Sequence, residues 1–317
     1  PTLYDPLADR AEPLVARANR HGVGEHGTPD VGDVGAVAIA LVRGHTQADR
    51  EAAIARAIAA RSPGVPVSCS SVVAPEFREF ERASTTVLNA YLTPATATYL
   101  TNLGTAVLDG GLADAVAVMR SSGGLMSLSE AAGLPAAILL SGPAGGVVAA
   151  RTVAVTEGAR SVVSFDMGGT STDVCLIVDG EVDISYERDV AGHACRMPAV
   201  GVHTVGAGGG SIAWIDPGGA LRVGPQSAGS HPGPACYGRG GTEATVTDAN
   251  VVLGRLDPDV RLGGSLDIEA HLAHTAVERL GHRIGRTTVD TALAILAIAE
   301  ETMAGAVRTV SVARGHD

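Results

Sequence analysis

Three patterns of apolar and polar positions alternate along the chain. VGAVAIALV (Val34 to Val42) is an apolar, β-branched run, TQADREAAIARAIAARS (Thr46 to Ser62) repeats apolar residues at helical spacing, and VPVSCSS (Val65 to Ser71) again resembles a strand. This order predicts a strand, helix, strand unit with parallel strands, and Thr46 is placed to cap the helix. A long helix is predicted from about Glu76 to Leu108, broken near Pro94, and then a strand that runs into a glycine turn over Asp114 to Gly124. Ala136 to Val155 predicts a short strand, a Gly-Pro-Gly-Gly corner and a helix of small residues, Gly145 to Val155. Residues 1–33 lack sustained periodicity and read as loops with at most one short helix, around Leu7 to Asn19.

Beyond Gly158 the texture changes. SVVSFDMGG, DVCLIVDGE, EVDISYER, SIAWIDPGG and ALRVG are short apolar stretches punctuated by Asp-Gly and Pro-Gly-Gly, which predict hairpins. Helix returns from Ile268 to Val312, and Thr291 to Ala313 is apolar on most faces, so it is expected to be buried. The fold class expected is α/β, with domains over 1–155 and 156–317.

Composition narrows the function. Of 317 residues 45% are hydrophobic but only 3% aromatic, with 41 glycines, so the core must be built from small aliphatic side chains closely approached by backbone. The formal charge of -11, with no run of cations, argues against a nucleic-acid partner. All 23 basic residues are Arg, which excludes a phosphate loop ending in Gly-Lys-Ser/Thr and any Schiff-base lysine. Phosphate chemistry would then rest on backbone amides, Arg and metal. Cys69, Cys175, Cys195 and Cys236 are far apart and signal neither a zinc ribbon nor a disulfide framework. No apolar run is long enough for a membrane span and no leader opens the sequence, so a cytoplasmic protein is expected.

The densest chemistry lies in SFDMGGTSTDVCLIVDGE, Ser164 to Glu181. A strand ending at Asp166, a corner over Gly168 and Gly169, and a second strand from about Val174 form a hairpin, unlike a dinucleotide fingerprint that leads into a helix. Glycines allow close backbone approach to an anion, successive amides can form a nest for phosphate, and Thr170, Ser171 and Thr172 add hydroxyls. Asp166 is positioned to hold a phosphate-bound Mg2+, directly or through water. The same residue types also build ordinary tight turns, so the loop alone leaves both readings open. Gly208, Gly209 and Gly210 in GAGGGSIA, and the corner SGPAGG at Ser141 to Gly146, are further candidates for the same crevice.

Asp248 is a second acid candidate for phosphate chemistry, although in TVTDAN it equally fits a helix cap; Asp173 at the loop exit is another. His231 and Cys236 suit a structural turn better than a metal site, since a third ligand is lacking. His271 and His274 share one helical face as a solvated pair. Arg78, Glu79, Glu81 and Arg82 read as an exposed ion-pair face. No Ser-His-Asp assignment can be made, because GxSxG is missing.

Six stretches in order, REFERASTTVLNAYL, SGPAGGVVAA, FDMGGTSTDV, TVGAGGGSIA, VGPQSAGSHPGPACYGRGG and TVTDANVVLGRL, resemble the hydantoinase A and 5-oxoprolinase family from about residue 34 onward. The resemblance implies an actin-like ATPase fold of two lobes, as in sugar kinases and Hsp70, with Asp166 to Thr172 as the second phosphate loop and the 145–155 helix connecting the lobes. It implies ATP and Mg2+, phosphorylation of a carbonyl or enol oxygen in a cyclic amide such as hydantoin or 5-oxoproline, and a second, hydantoinase B-like subunit or domain, with a hetero-oligomer expected. Relatives in ketone carboxylases imply an alternative substrate, and a non-catalytic assembly module is a third reading. The family's first phosphate loop and its adenosine-side glycine segment have no counterpart in this sequence. The chain is therefore expected to be the middle of a longer subunit, incomplete at both ends, and to bind ATP weakly or not at all by itself.

Overall fold

The computed structural model describes residues 31, 34–111 and 115–316, so the short helix expected around Leu7 to Asn19 lies outside the described residues. The structure is mixed α/β and separates into two compact units. Residues 1–148 with 183–201 form the first, and residues 149–182 with 202–317 form the second. The split falls at 148/149 rather than near 156, and the chain re-enters the first unit at 183–201.

In the first unit β1 (Val37–Ile39) and β2 (Val67–Cys69) pair in parallel around the crossover helix α1 (Ala48–Arg61), as the apolar pattern predicts. Ile58 of α1 is buried with Val31 and Ile39, and Ile54 packs against them; this apolar stripe sets the helix on the strands. Thr46 does not cap α1. It ends a 3-10 turn, Gly44–Thr46, its hydroxyl donates to the Arg43 carbonyl at 2.9 Å, and Gln47 occupies the cap position without a side-chain bond.

After the short helix α2 (Ser70–Val73), α3 runs unbroken from Glu79 to Asp109 with Pro94 inside it. The predicted break does not occur. Proline costs a helix interior about 3 kcal/mol, and here Leu88 and Leu92 before it and Leu100 and Leu103 after it enter one core with Met126 and Ala131, which offsets that cost. β3 (Ala117–Met119) and β4 (Leu125–Ser127) form a hairpin that leads into α4 (Leu128–Gly133), opened by a Ser127–Glu130 capping box.

The strand expected from Ala136 is instead a 3-10 turn, Pro135–Ile138. Side chains take the place of a strand partner: the Ser121 hydroxyl is shared by the carbonyls of Ala137 at 2.9 Å and Leu139 at 2.5 Å, and the Ala136 amide donates to Asn89 Oδ1 at 3.1 Å. α5 then begins at Ser141 and runs to Thr156, so SGPAGG forms its first turns instead of a corner before it. Pro143 is tolerated there because the first helical amides have no intrahelical acceptor.

The second unit is built on β5 (Ser161–Met167), β6 (Thr172–Val178) and β12 (His203–Val205), an antiparallel sheet ordered β12-β6-β5, with β7 (Glu181–Val182) also on β6. Between β7 and β12 the chain forms the first-unit strands β8 (Ile184–Ser185), β9 (Arg188–Val190), β10 (His193–Cys195) and β11 (Ala199–Val200). A second hairpin, β13 (Ser211–Ile215) and β14 (Leu221–Ser227), precedes helices α6 (Val246–Val252), α7 (Ala270–Arg283) and α8 (Thr288–Val310). Val277, Ile295 and Leu296 join Val246 and Ala249 in the main core, while Ala306 and Val310 of α8 pack on Val174 of the sheet. α8 is amphipathic rather than buried all round, since Leu293 is 48% exposed. Among the described residues no helix is long and apolar enough to cross a membrane.

Candidate functional site

The β5–β6 hairpin turns at Gly168 to Ser171, as expected, and closes on itself: the Gly168 amide donates to the Ser171 carbonyl at 2.9 Å. Antiparallel register puts Asp166 directly opposite Asp173 and Asp173 opposite Thr204. Directly opposed side chains share a face, so two carboxylates and a hydroxyl form one row beside the turn. Thr204 satisfies only Asp173, donating at 2.5 Å. The Asp166 carboxylate is exposed and accepts no hydrogen bond from the described residues. Opposed like charges cost sheet stability, and Thr204 relieves only the Asp173 side.

A rigid support lies below. Val174, Cys175 and Ile177 of β6 are buried, and the buried Thr172 hydroxyl donates to the Ala207 carbonyl at 2.6 Å. Residues 207–210 press directly on the turn: Gly209 N donates to Gly168 O at 3.0 Å and Gly210 N to Gly169 O at 2.6 Å, while Gly208 N is bound to Ser211 Oγ at 2.8 Å. A Cβ on Gly208 would stand 2.7 Å from the Gly168 carbonyl, too close for any L side chain. Thr247, at the start of α6, holds this second loop from the other side, with both its amide and its hydroxyl 2.8 Å from the Gly209 carbonyl.

These bonds divide the expected phosphate cradle into two parts. The amides of Gly168, Gly208, Gly209 and Gly210 and the hydroxyl of Thr172 are committed within the protein, so they brace the hairpin and are not the donors expected. The amides of Gly169, Thr170 and Ser171 donate to no described group, and the side chains of Thr170 and Ser171 accompany them at the rim. What remains available is a short nest of amides, two hydroxyls and one unpartnered carboxylate. Such a set is suited to an anion accompanied by a hard cation.

Asp248 requires a correction. It is fully buried, and its two oxygens accept from Cys236 N at 2.8 Å, Ala235 N at 3.2 Å, Thr245 N at 2.9 Å and the Thr245 hydroxyl at 2.7 Å. It closes a capping box at the start of α6. With its acceptor capacity filled, it is a structural carboxylate and not a reacting acid.

His231 is exposed while Cys236 is buried, and burial, reinforced by the Asp248 carboxylate, pushes the Cys236 thiol far up. Among the described residues no cluster of three or more His, Cys, Asp or Glu could hold a metal ion. His271 and His274 are exposed, as expected. SGPAGG lies in the first turns of α5, within the first unit.

Arg82 departs furthest from its expected exposed face. It is 1% exposed and donates to Ser70 Oγ at 3.1 Å, to the carbonyls of Glu76 and Leu41 at 2.7 Å, and to Glu79. Glu51, wholly buried, receives the Ser70 hydroxyl at 2.7 Å and the amides of Leu41 and Ser71. Sequence reading singled out neither Thr204 nor Thr247. A threonine opposite an acid becomes visible only once register is known, whereas Thr247, at the second position of α6, carried a signal in TVTDAN.

The family model described as Hydantoinase/oxoprolinase matches residues 82–317. The chain is 37% identical to the caprolactamase subunit alpha of Pseudomonas jessenii, over 90% of this chain and 41% of that protein. It is also 37% identical to the 5-oxoprolinase of Saccharomyces cerevisiae, over 88% of this chain and 22% of that one. The nucleotide-free structure of acetone carboxylase superposes with a TM-score of 0.75 at 28% identity, covering 90% of this chain and 41% of that chain. The chain thus spans about half or less of the length of the curated relatives it matches. On this similarity and its extent, the chain belongs to the hydantoinase/oxoprolinase family.

Proposed function

We propose that this chain is the phosphate-handling part of an ATP-dependent enzyme that opens a cyclic amide of the hydantoin or 5-oxoproline class. The observation that carries the reading is Asp166: an exposed carboxylate, unsatisfied by protein and opposed by a second acid, beside three amides that donate to no described group. Its neighbours Thr204, Thr170 and Ser171 offer only oxygen, the donor set that Mg2+ prefers, so the residues present fit a hydrated cation on a polyphosphate.

In this reading Asp166 holds the cation or its water, and the amides of Gly169, Thr170 and Ser171 face the terminal phosphate oxygens. When bound, ATP supplies the phosphoryl group that makes an amide carbonyl oxygen a competent leaving group. The protein's contribution is positioning and electrostatic stabilisation on a surface that does not relax, because the glycine loop and Thr247 fix the hairpin from behind. An actin-like pair of lobes, the role of α5 in connecting them, and a second subunit that completes the reaction are parts of the same proposal. The subunit-level name of the caprolactamase relative supports the last.

The acetone carboxylase likeness favours one alternative, in which the same phosphate chemistry serves a ketone. ADP release by the complete enzyme, assayed separately with 5-oxoproline, hydantoin, caprolactam, and acetone with bicarbonate, distinguishes them. Turnover with a cyclic amide is expected. Turnover with acetone alone would transfer the assignment, and no substrate-dependent ADP release with any of the four would refute it.

A further inference from the structure

VGPQSAGSHPGPACYGRGG, Val223 to Gly241, leaves β14 and folds against the same two glycine loops that build the turn of the β5–β6 hairpin. The Ala228 amide donates to the Gly210 carbonyl at 2.8 Å, and the Ser227 hydroxyl lies 3.4 Å from the Gly169 carbonyl. Residues 228–233 then close into a small loop, with the Gly233 amide on the Ala228 carbonyl at 3.1 Å. The loop therefore adjoins the turn. At its exposed end the amides of Ser230 and His231 donate to no described group.

Arg239 is tied to this loop. It is exposed, its guanidinium donates to the Ser230 carbonyl at 3.5 Å, and among the described residues no acid pairs with it. By contrast, Arg160, Arg222, Arg261 and Arg308 of the same unit each pair with a carboxylate. Burial pushes the Tyr237 phenol up, while a hydrogen bond with Thr247 and the charge of Arg239 draw it back. Arg239 thus stands near Tyr237, the partner of the threonine that holds the Gly209 carbonyl at 2.8 Å. A single Mg2+ leaves a triphosphate anionic, and phosphoryl transfer draws on cationic side chains besides the metal. With no lysine in its sequence, this chain can supply one only from arginine.

From this placement we infer that Arg239, with the amides of Ser230 and His231, contacts phosphate oxygens of the nucleotide, as a second set of donors beside the amides of Gly169, Thr170 and Ser171. The inference rests on the nucleotide reading proposed above and adds to it a named cation. A long, weak bond to one carbonyl leaves the guanidinium free to take a phosphate oxygen instead.

Calorimetric titration of the complete enzyme with ATP and Mg2+ tests the contact in the wild type, Arg239→Gln and Arg239→Lys. Arg239→Gln should weaken ATP at least about tenfold, the worth of a charge-assisted hydrogen bond. Arg239→Lys keeps the charge and should fall between the two. Because the side chain is exposed, the unfolding temperature without nucleotide should be the same in all three. Wild-type affinity in Arg239→Gln, or a loss in Arg239→Lys as large as that in Arg239→Gln, overturns the inference and leaves the nucleotide reading standing. Should Arg239→Gln not fold, wild-type affinity in Arg239→Lys overturns it. No ATP binding by the wild type overturns both.

Discussion

Asp166 and Asp248 belong to the same unit, one in the last residues of β5 and the other in the first turn of α6, yet they do opposite work. Asp248 is buried with four donors converging on it, whereas Asp166 is exposed, without a donor, and opposed by another carboxylate. A buried acid is stable only when its acceptors are filled, and once filled it has nothing left for a ligand. An exposed acid held in a repulsive pairing gives up some stability, which a bound cation restores. Candidate acids in this chain are therefore separated by what already satisfies them rather than by the glycines around them.

The largest test of that contrast is stability. Asp248→Ala leaves the amides of Ala235, Cys236 and Thr245 without their acceptor and should cost about 3–5 kcal/mol in urea unfolding. Asp166→Asn should cost nothing or give a slight gain as the opposed charges are relieved; equal destabilisation by both variants would erase the distinction. Next in size, Gly208→Ala drives a Cβ into the Gly168 carbonyl and should cost about 1–3 kcal/mol. Gly169→Ala, where a Cβ meets nothing within 4 Å, should be much milder. A smaller effect is expected for Thr204→Val, which takes the donor from Asp173 and should cost about 1 kcal/mol. Smallest of all, Cys236 should resist alkylation at pH 8 in the folded chain and react on unfolding, since burial and Asp248 hold it as a thiol.

Local pattern revealed the parts that are local. The parallel β1-α1-β2 unit follows from β-branched runs flanking a helical stripe, and the β5–β6 hairpin from two apolar strands around Gly168 and Gly169. The site's motif, and hence its family, could be read in the same way. The unread parts depend on residues distant in sequence. Ala136 to Leu139 forgoes strand structure because Ser121 and Asn89 arrive to satisfy its backbone. Arg82 is drawn inside by the carbonyls of Leu41 and Glu76, which its own charge pattern does not reveal. Gly208 to Gly210 resemble a phosphate cradle in composition, but the Gly168 and Gly169 carbonyls claim two of those amides and Ser211 the third. The return of residues 183–201 to the first unit has no marker in composition at all.

The account rests on Asp166 holding the cation that accompanies a bound nucleotide. Mn2+, a paramagnetic substitute for Mg2+, can be titrated into the complete enzyme with ATP while water-proton relaxation is followed, in the wild type and in Asp166→Asn. The nucleotide-dependent enhancement should appear in the wild type and weaken at least about tenfold in midpoint in the variant, with the unfolding temperature unchanged. Identical midpoints in the two proteins would contradict it.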